Sequence, residues 1–159
     1  MGEVQTVRGP VDAAELGVTL VHEHLCARDE GVRFQFPQML VSGGDPVREV
    51  DDAGAEQLAL ESARAMVDRG VQTICDPAAL FLGRDVRLMR RVSEATGLNV
   101  IAATGIYTYD HLPTALLTRD ADAIADLYVH DIERGIQGTD ARAAFIKCAA
   151  DAPGVTENV

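Results

Sequence analysis

The chain has 159 residues, 47% of them hydrophobic and 25% charged, values typical of a folded globular domain rather than a disordered or membrane-spanning one. Its formal net charge of −11 argues against nucleic acid as a partner, because such binding depends on cations that neutralise phosphates. The longest apolar runs are too short to cross a bilayer, and the N-terminus lacks the pattern of a secretory signal.

Three widely spaced cysteines, Cys26, Cys75 and Cys148, favour small buried hydrophobic residues over a disulfide framework. A chain of this kind fits a reducing compartment. These features together predict a cytoplasmic protein that binds neither a membrane nor nucleic acid.

Four short apolar segments predict strands buried on both faces of a parallel sheet. In chain order they cover residues 17–22, 71–76, 99–104 and 143–148. Residues 26–50, rich in Gly and Pro, predict a long loop after the first strand, and loops of that length in compact domains are usually functional.

Helical spacing of apolar residues predicts helices over 51–69, 85–96 and 120–136. Gly70, Gly97 and either Gly135 or Gly138 stand where a glycine ends a helix, and Asp120 stands where an acidic residue favours a helix start. The order βαβαβαβ predicts an α/β fold with parallel strands, either a doubly wound sheet or part of a (βα)8 barrel. Neither a GxGxxG fingerprint after the first strand nor a Walker A motif is present.

The most specific local motif is His22-Glu23-His24 at the end of the first apolar strand. Residues two apart on a strand point to the same face, so His22 and His24 can aim both imidazoles at one metal ion. Glu23 would then point the other way, as a packing or salt-bridge residue. The alternative is that two unrelated histidines stand at a strand end.

Lys147 lies inside the apolar segment 143–148. A buried ammonium without a partner is costly, and burial lowers the pKa of a lysine and makes its amine nucleophilic. Such an amine can take up CO2 to become a carbamate, whose two oxygens can bridge two metal ions. Taken alone, the residue fits better with a lysine that extends to solvent or pairs with Asp151.

Other polar residues near strand ends favour ordinary structural roles when each is taken alone. Asp76 ends the second strand and is interpreted as a cap that orients a neighbouring loop. Tyr107 follows the third strand as a partly buried loop tyrosine that could lean over the site. His130 is predicted on a helix surface, and His111 in a loop that could line the pocket.

Four segments, residues 17–25, 70–77, 82–109 and 130–157, together resemble the phosphotriesterase family of the amidohydrolase superfamily, most closely its lactonase branch. The resemblance runs along nearly the whole chain. It implies a parallel barrel of the TIM type, of which residues 1–159 would form the first four βα units, the N-terminal half of one (βα)8 hydrolase domain.

The resemblance also implies a chemistry. Two divalent metal ions are expected, with zinc favoured over iron, cobalt or manganese. His22 and His24 would bind the more buried ion, a carboxylated Lys147 would bridge both ions, and Tyr107 would act beside the substrate. The implied reaction is hydrolysis of a small lactone, or of an organophosphate ester, by a metal-bound hydroxide. A homodimer is expected for the full-length form.

One departure from the family pattern qualifies these expectations. The family takes two further histidine ligands and a catalytic aspartate from later strands, and His111 and His130 match none of these positions. The chain is therefore expected to be truncated and inactive alone. The alternatives are a non-catalytic half-barrel that serves as a binding or assembly module, and an open α/β domain of four or five strands in which the HxH motif is coincidental.

Overall fold

A four-stranded parallel sheet forms the centre of the computed structural model, which describes residues 2–27, 41–42, 45–46, 52–107, 112, 114–150 and 154–157. The elements follow in chain order as β1 (Glu3–Thr6), β2 (Gly9–Asp12), a 3-10 helix (Ala13–Glu15), β3 (Thr19–Leu20), β4 (Val41–Ser42), β5 (Asp45–Pro46), α1 (Asp52–Val67), β6 (Thr73–Asp76), α2 (Val86–Thr96), β7 (Asn99–Thr104), α3 (Ala121–Glu133) and β8 (Phe145–Ile146).

The central sheet has the order β3-β6-β7-β8, and every neighbouring pair in it is parallel. Each strand therefore lies beside the next strand of the sheet in sequence, and one helix connects each pair. This arrangement confirms the predicted βαβαβαβ order and forms half of a parallel barrel. No helix among the described segments has the length and apolar character needed to cross a bilayer.

The helices start and stop at residues whose chemistry favours those positions. Asp85 caps α2 by accepting hydrogen bonds from two backbone amides, and Asp120 caps α3 in the same way through the amide of Ala123. Gly97 ends α2 in the left-handed conformation, as predicted. Gly70 does not directly follow α1, because that helix ends at Val67 and the glycine lies in the turn beyond it.

The core lies between the sheet and its helices. From the sheet come Ile74, Val100 and Ala102, and from α1 and α2 come Ala59, Ala63, Met89 and Val92, all of them buried. Ala59 and Ala63, four residues apart, lie on the buried face of α1, which packs against α2. Burial of these side chains holds the βα units together.

The first strand of the sheet is shorter and more exposed than the sequence predicts. Residues 17–22 were expected to form a strand buried on both faces, but β3 covers Thr19–Leu20 alone, and Val21 is 77% exposed. The physical reason is position: β3 is an edge strand, so it has one neighbour and little cover. The strand expected over 143–148 is likewise reduced to β8, at the other edge.

Two antiparallel pairs were not predicted. Strands β1 and β2 form a hairpin that packs on β7, where the amide of Val7 donates to the carbonyl of Val100 at 2.9 Å. Within the segment predicted to be only a loop, β4 pairs with β5. All four strands are short, so they carry too few residues for a clear alternating pattern.

Two sets of polar contacts link the helices to neighbouring elements. The guanidinium of Arg91 on α2 donates hydrogen bonds to both carboxylate oxygens of Glu56 on α1, at 2.7 to 3.1 Å. Deeper in the fold, Arg84 and Thr104 both donate to the carboxylate of the buried Asp131 on α3, each at 2.7 Å. The second contact fixes α3 against the end of β7.

Candidate metal centre

The two histidines of the HxH motif lie side by side just beyond the end of β3. Their ring centroids are 5.6 Å apart and their planes make an angle of 86°. His22 is exposed and His24 is half-buried. The amide of Glu23 between them donates to the carbonyl of Cys75 on β6 at 3.2 Å, which fixes this segment to the sheet.

Asp76, the last residue of β6, holds His24 in place. Its side chain is 0% exposed, and its Oδ1 atom lies 3.0 Å from Nδ1 of His24. The same oxygen accepts from the amide of Ala78, and Oδ2 accepts from the amide of Leu25, each at 3.0 Å. The predicted role, capping or orienting a neighbouring loop, is confirmed by the hydrogen bond from Leu25, and Asp76 also orients the imidazole of His24.

The electrostatic surroundings of His24 have opposing effects on its pKa. The hydrogen bond to Asp76 is the largest influence and raises the pKa, whereas partial burial and the positive charge of Lys147 lower it. The net effect is a raised pKa.

Lys147 lies directly after β8, at the same end of the sheet as the histidine pair. Its side chain is half-buried rather than enclosed in a strand, and its backbone amide donates to the carbonyl of Thr104 at 2.8 Å. Gly105 makes this approach possible: its φ is +125°, and a Cβ atom there would overlap the carbonyl oxygen of Lys147. Asp151, the alternative partner for this lysine, lies outside the described residues.

Tyr107 lies just beyond β7 and is half-buried. Its carbonyl accepts from the amide of Ala149 at 2.7 Å, so the backbone on either side of the Lys147 position is fixed to the β7 end. The structure therefore places Tyr107 at the C-terminal edge of the sheet with the other three residues.

The remaining candidates fall elsewhere. His130 is exposed on α3, as predicted, and lies 3.8 Å from the carboxylate of Asp131. His111 lies outside the described residues. Of the cysteines expected to be buried, Cys26 and Cys75 are half-buried, and burial raises the pKa of the Cys75 thiol. Cys148 is exposed, which corrects the prediction, because it lies beyond the end of an edge strand.

The residues present fit part of the implied metal centre. With Nδ1 of His24 bonded to a carboxylate, Nε2 is the nitrogen left to bind a metal ion. His22 would supply a second imidazole, and Lys147 would act through a carboxylated side chain. Within the described segments no three side chains of His, Cys, Asp or Glu are grouped so that they could hold a metal ion.

Comparisons with known proteins give one consistent result. A family model described as the phosphotriesterase family matches residues 2–159. An aryldialkylphosphatase of Saccharolobus solfataricus is 45% identical over 149 residues, which are 94% of this chain and 44% of that protein. The chain thus spans about half the length of the curated relatives it matches.

Solved structures show the same half-length match. An organophosphorus hydrolase of Deinococcus radiodurans superposes with a TM-score of 0.82 and 33% identity, covering 98% of this chain and 46% of that one. A mutant PTE-like lactonase of the same organism gives a TM-score of 0.80 and 34% identity, covering 98% and 47%. In both, the other half of the matched fold has no counterpart among these 159 residues.

Proposed function

Because this chain belongs to the phosphotriesterase family, we propose that it supplies half of the active site of a metal-dependent hydrolase that opens lactone rings. The observation that carries the proposal is the histidine pair, with ring centroids 5.6 Å apart at the C-terminal end of the sheet, where Lys147 follows β8. In barrels of parallel strands, catalytic groups lie at that end.

His22, His24 and Lys147 are the residues that would hold the ions, two in number and most suitably zinc, with iron, cobalt and manganese as alternatives. When bound, such ions lower the pKa of a water molecule and polarise the carbonyl or phosphoryl group that it attacks. Lys147 would take part as a carbamate, formed when its neutral amine adds CO2 and loses a proton.

Tyr107 is proposed as the group that positions the substrate. A phenol can donate a hydrogen bond to the oxygen on which negative charge develops, and the residue lies at the same edge as Lys147. The lactone is proposed as substrate because the matched PTE-like lactonase shares this half of the fold. Organophosphate esters are a second substrate class, since the archaeal relative is named an aryldialkylphosphatase.

The two histidines and the aspartate that the resemblance requires in addition are assigned to the other half of the barrel. That half accounts for just over half of the relatives' length, since this chain covers 44% of the archaeal protein. We propose that the complete enzyme is a cytoplasmic homodimer. Its substrate would be a small lactone or ester.

The test is metal content and lactone hydrolysis of the whole protein in which these residues occur, as expressed in its native host. We expect bound zinc and lactonase activity, with both lost in the His22→Ala, His24→Ala double variant. His130→Ala, which changes an exposed histidine on α3, serves as the control and should retain both. A wild-type protein that is folded and metal-free, or metal-loaded and without activity on any lactone, would contradict the proposal.

The second candidate is a non-catalytic half-barrel that binds or assembles with another protein. The exposed edges of the sheet favour it, since Val21 beside β3 is 77% exposed and Ile146 on β8 is 57% exposed. A metal-free protein that forms a defined complex through these edges would support this candidate over the enzyme.

A further inference from the structure

The carboxylate of Asp76 has a fixed position in the fold. It is fully enclosed, and its two oxygens accept hydrogen bonds from the His24 ring and from the amides of Leu25 and Ala78. Any movement of a group so enclosed would leave the buried amides of Leu25 and Ala78 without an acceptor. Asp76 can therefore serve as a rigid reference for the residues bonded to it.

The contact with His24 also selects the protonation pattern of the ring. A carboxylate only accepts hydrogen bonds, so the facing Nδ1 atom must carry the proton. In the neutral ring, Nε2 then holds the lone pair, and this is the form in which imidazole binds a metal ion. Oδ2 meanwhile fixes the backbone at Leu25, so one carboxylate sets both the tautomer of the ring and the path of the chain beside it.

We propose that Asp76 is a positioning residue that holds His24 as the Nδ1-protonated tautomer and thereby presents Nε2 to a divalent metal ion. The inference rests on the proposed function and adds to it a residue that acts through His24 rather than by contact with the metal or substrate. A chain of carboxylate, imidazole and metal is a recurrent way to orient a ligand histidine, and its loss typically weakens metal binding about 10- to 100-fold.

The variant Asp76→Asn tests this role with almost no change in shape. An amide has one accepting oxygen and one donating nitrogen, whereas all three groups around Asp76 donate. If the amide nitrogen faces His24, the ring must place its proton on Nε2, which blocks the metal-binding atom. If it faces a backbone amide instead, two donors oppose each other and the ring is held less firmly.

Glu23→Gln is the matched control. Glu23 also carries a negative charge that raises the pKa of His24, but its Oε1 atom accepts from the backbone amide of His24 rather than from the ring. This variant removes the same charge from the same neighbourhood and leaves the contact between Asp76 and the imidazole intact.

Two measurements are needed on the whole protein in which these residues occur, after any bound metal has been removed. Nitrogen-15 NMR of the histidine rings, assigned with His24→Asn and recorded where the rings are neutral, should show the Nδ1-protonated form for His24. In Asp76→Asn the Nε2-protonated form should gain population. Titration with zinc should show affinity reduced about 10- to 100-fold in Asp76→Asn, and changed less than twofold in Glu23→Gln.

The outcomes separate this inference from the function on which it rests. Wild-type His24 found mainly as the Nε2-protonated tautomer would overturn the inference, and this measurement does not depend on whether Asp76→Asn folds. Unchanged zinc affinity in a folded Asp76→Asn variant would overturn it too, with the proposed metal site intact. A wild-type whole protein that shows the Nδ1-protonated tautomer but binds no zinc would instead contradict the proposed function.

Discussion

Gly105 sets the distance between the end of β7 and Lys147. Its φ of +125° is unfavourable for any residue with a side chain, and a methyl group there would overlap the carbonyl oxygen of Lys147. The position of Lys147 therefore depends on glycine at position 105, where a side chain would displace the lysine backbone.

We expect Gly105→Ala to destabilise the chain more than Gly70→Ala, the matched control. Gly70 also has a positive φ, of +86°, but a methyl group there would meet open space. Gly70→Ala should cost about 1–2 kcal/mol from backbone strain alone. Gly105→Ala should cost at least ~1 kcal/mol more because of the overlap. Urea unfolding of both variants measures the difference in the free energy of unfolding. Equal losses would show that the close contact of Gly105 with the Lys147 carbonyl does not affect stability.

At the residue scale, the sequence was sufficient to select His22, His24 and Lys147 as candidates, because an HxH spacing and a lysine in an apolar segment are visible locally. Their roles as ligands stay predictions. The contact between Asp76 and His24 could not be predicted, because the two residues are 52 positions apart. In a sequence, a carboxylate at a strand end could either cap its own turn or orient a residue of a neighbouring strand. Asp76 does both because β6 pairs with β3 in the sheet, which brings His24 beside it.

Among the elements, α1 and α2 are joined on their exposed sides by the ion pair of Glu56 and Arg91. The guanidinium lowers the pKa of the Glu56 carboxyl, so the folded chain favours the ionised form more than the unfolded chain does. The stability from this pair is therefore present above the unfolded pKa of Glu56 and is lost as the pH falls through its lower folded value.

Glu56→Gln should accordingly lower the midpoint of urea unfolding near neutral pH, and the difference from wild type should shrink as the pH falls below the folded pKa of Glu56. The effect should be modest, because the pair is solvent-accessible and screened by salt. Glu61→Gln is the control, since that carboxylate on the same helix accepts from Gln57 rather than from a cation. A difference that persists unchanged into acid would disprove the linkage.

The sequence predicted three helices and four parallel strands in the correct order, because each helix has a clear apolar face and each cap its chemical marker. It overestimated the strands at the edges, where residues 17–22 and 143–148 reduce to β3 and β8. Apolar composition indicates how much side-chain surface a strand could bury. An edge strand is paired on one side only, so much of that apolar surface stays exposed. The hairpin of β1 and β2 was not predicted, because Pro10 and several polar residues interrupt the alternation of apolar and polar residues that is typical of strands.

Across the part of the molecule that the structure describes, β3 and β8 form the two edges of the central sheet, and these edges are the main departure from a closed barrel. Apolar side chains lie on both, and unpaired backbone groups on such edges promote pairing with other strands. The fold class was predictable because the order of elements allows few topologies, but the exposure at the edges follows only from which strands lie outermost.

We expect the 159-residue chain to self-associate as its concentration rises. Val21→Lys and Ile146→Lys, which place a charge beside β3 and on β8, should reduce the association seen by light scattering, with and without zinc. Leu58→Lys is the control, because Leu58 is 55% exposed but lies on helix α1 rather than on an edge strand. A chain that stays monomeric at all concentrations would rule out the edges as adhesive surfaces.

The hairpin of β1 and β2 closes the end of the sheet opposite the histidine pair. Val7 is buried against β7, and Arg8 bonds to the carbonyl of Gly97 and the side chain of Asn99, where that strand begins. A fluorophore or surface anchor attached to the turn between β1 and β2 would thus lie at the opposite end of the sheet from the residues that would bind metal.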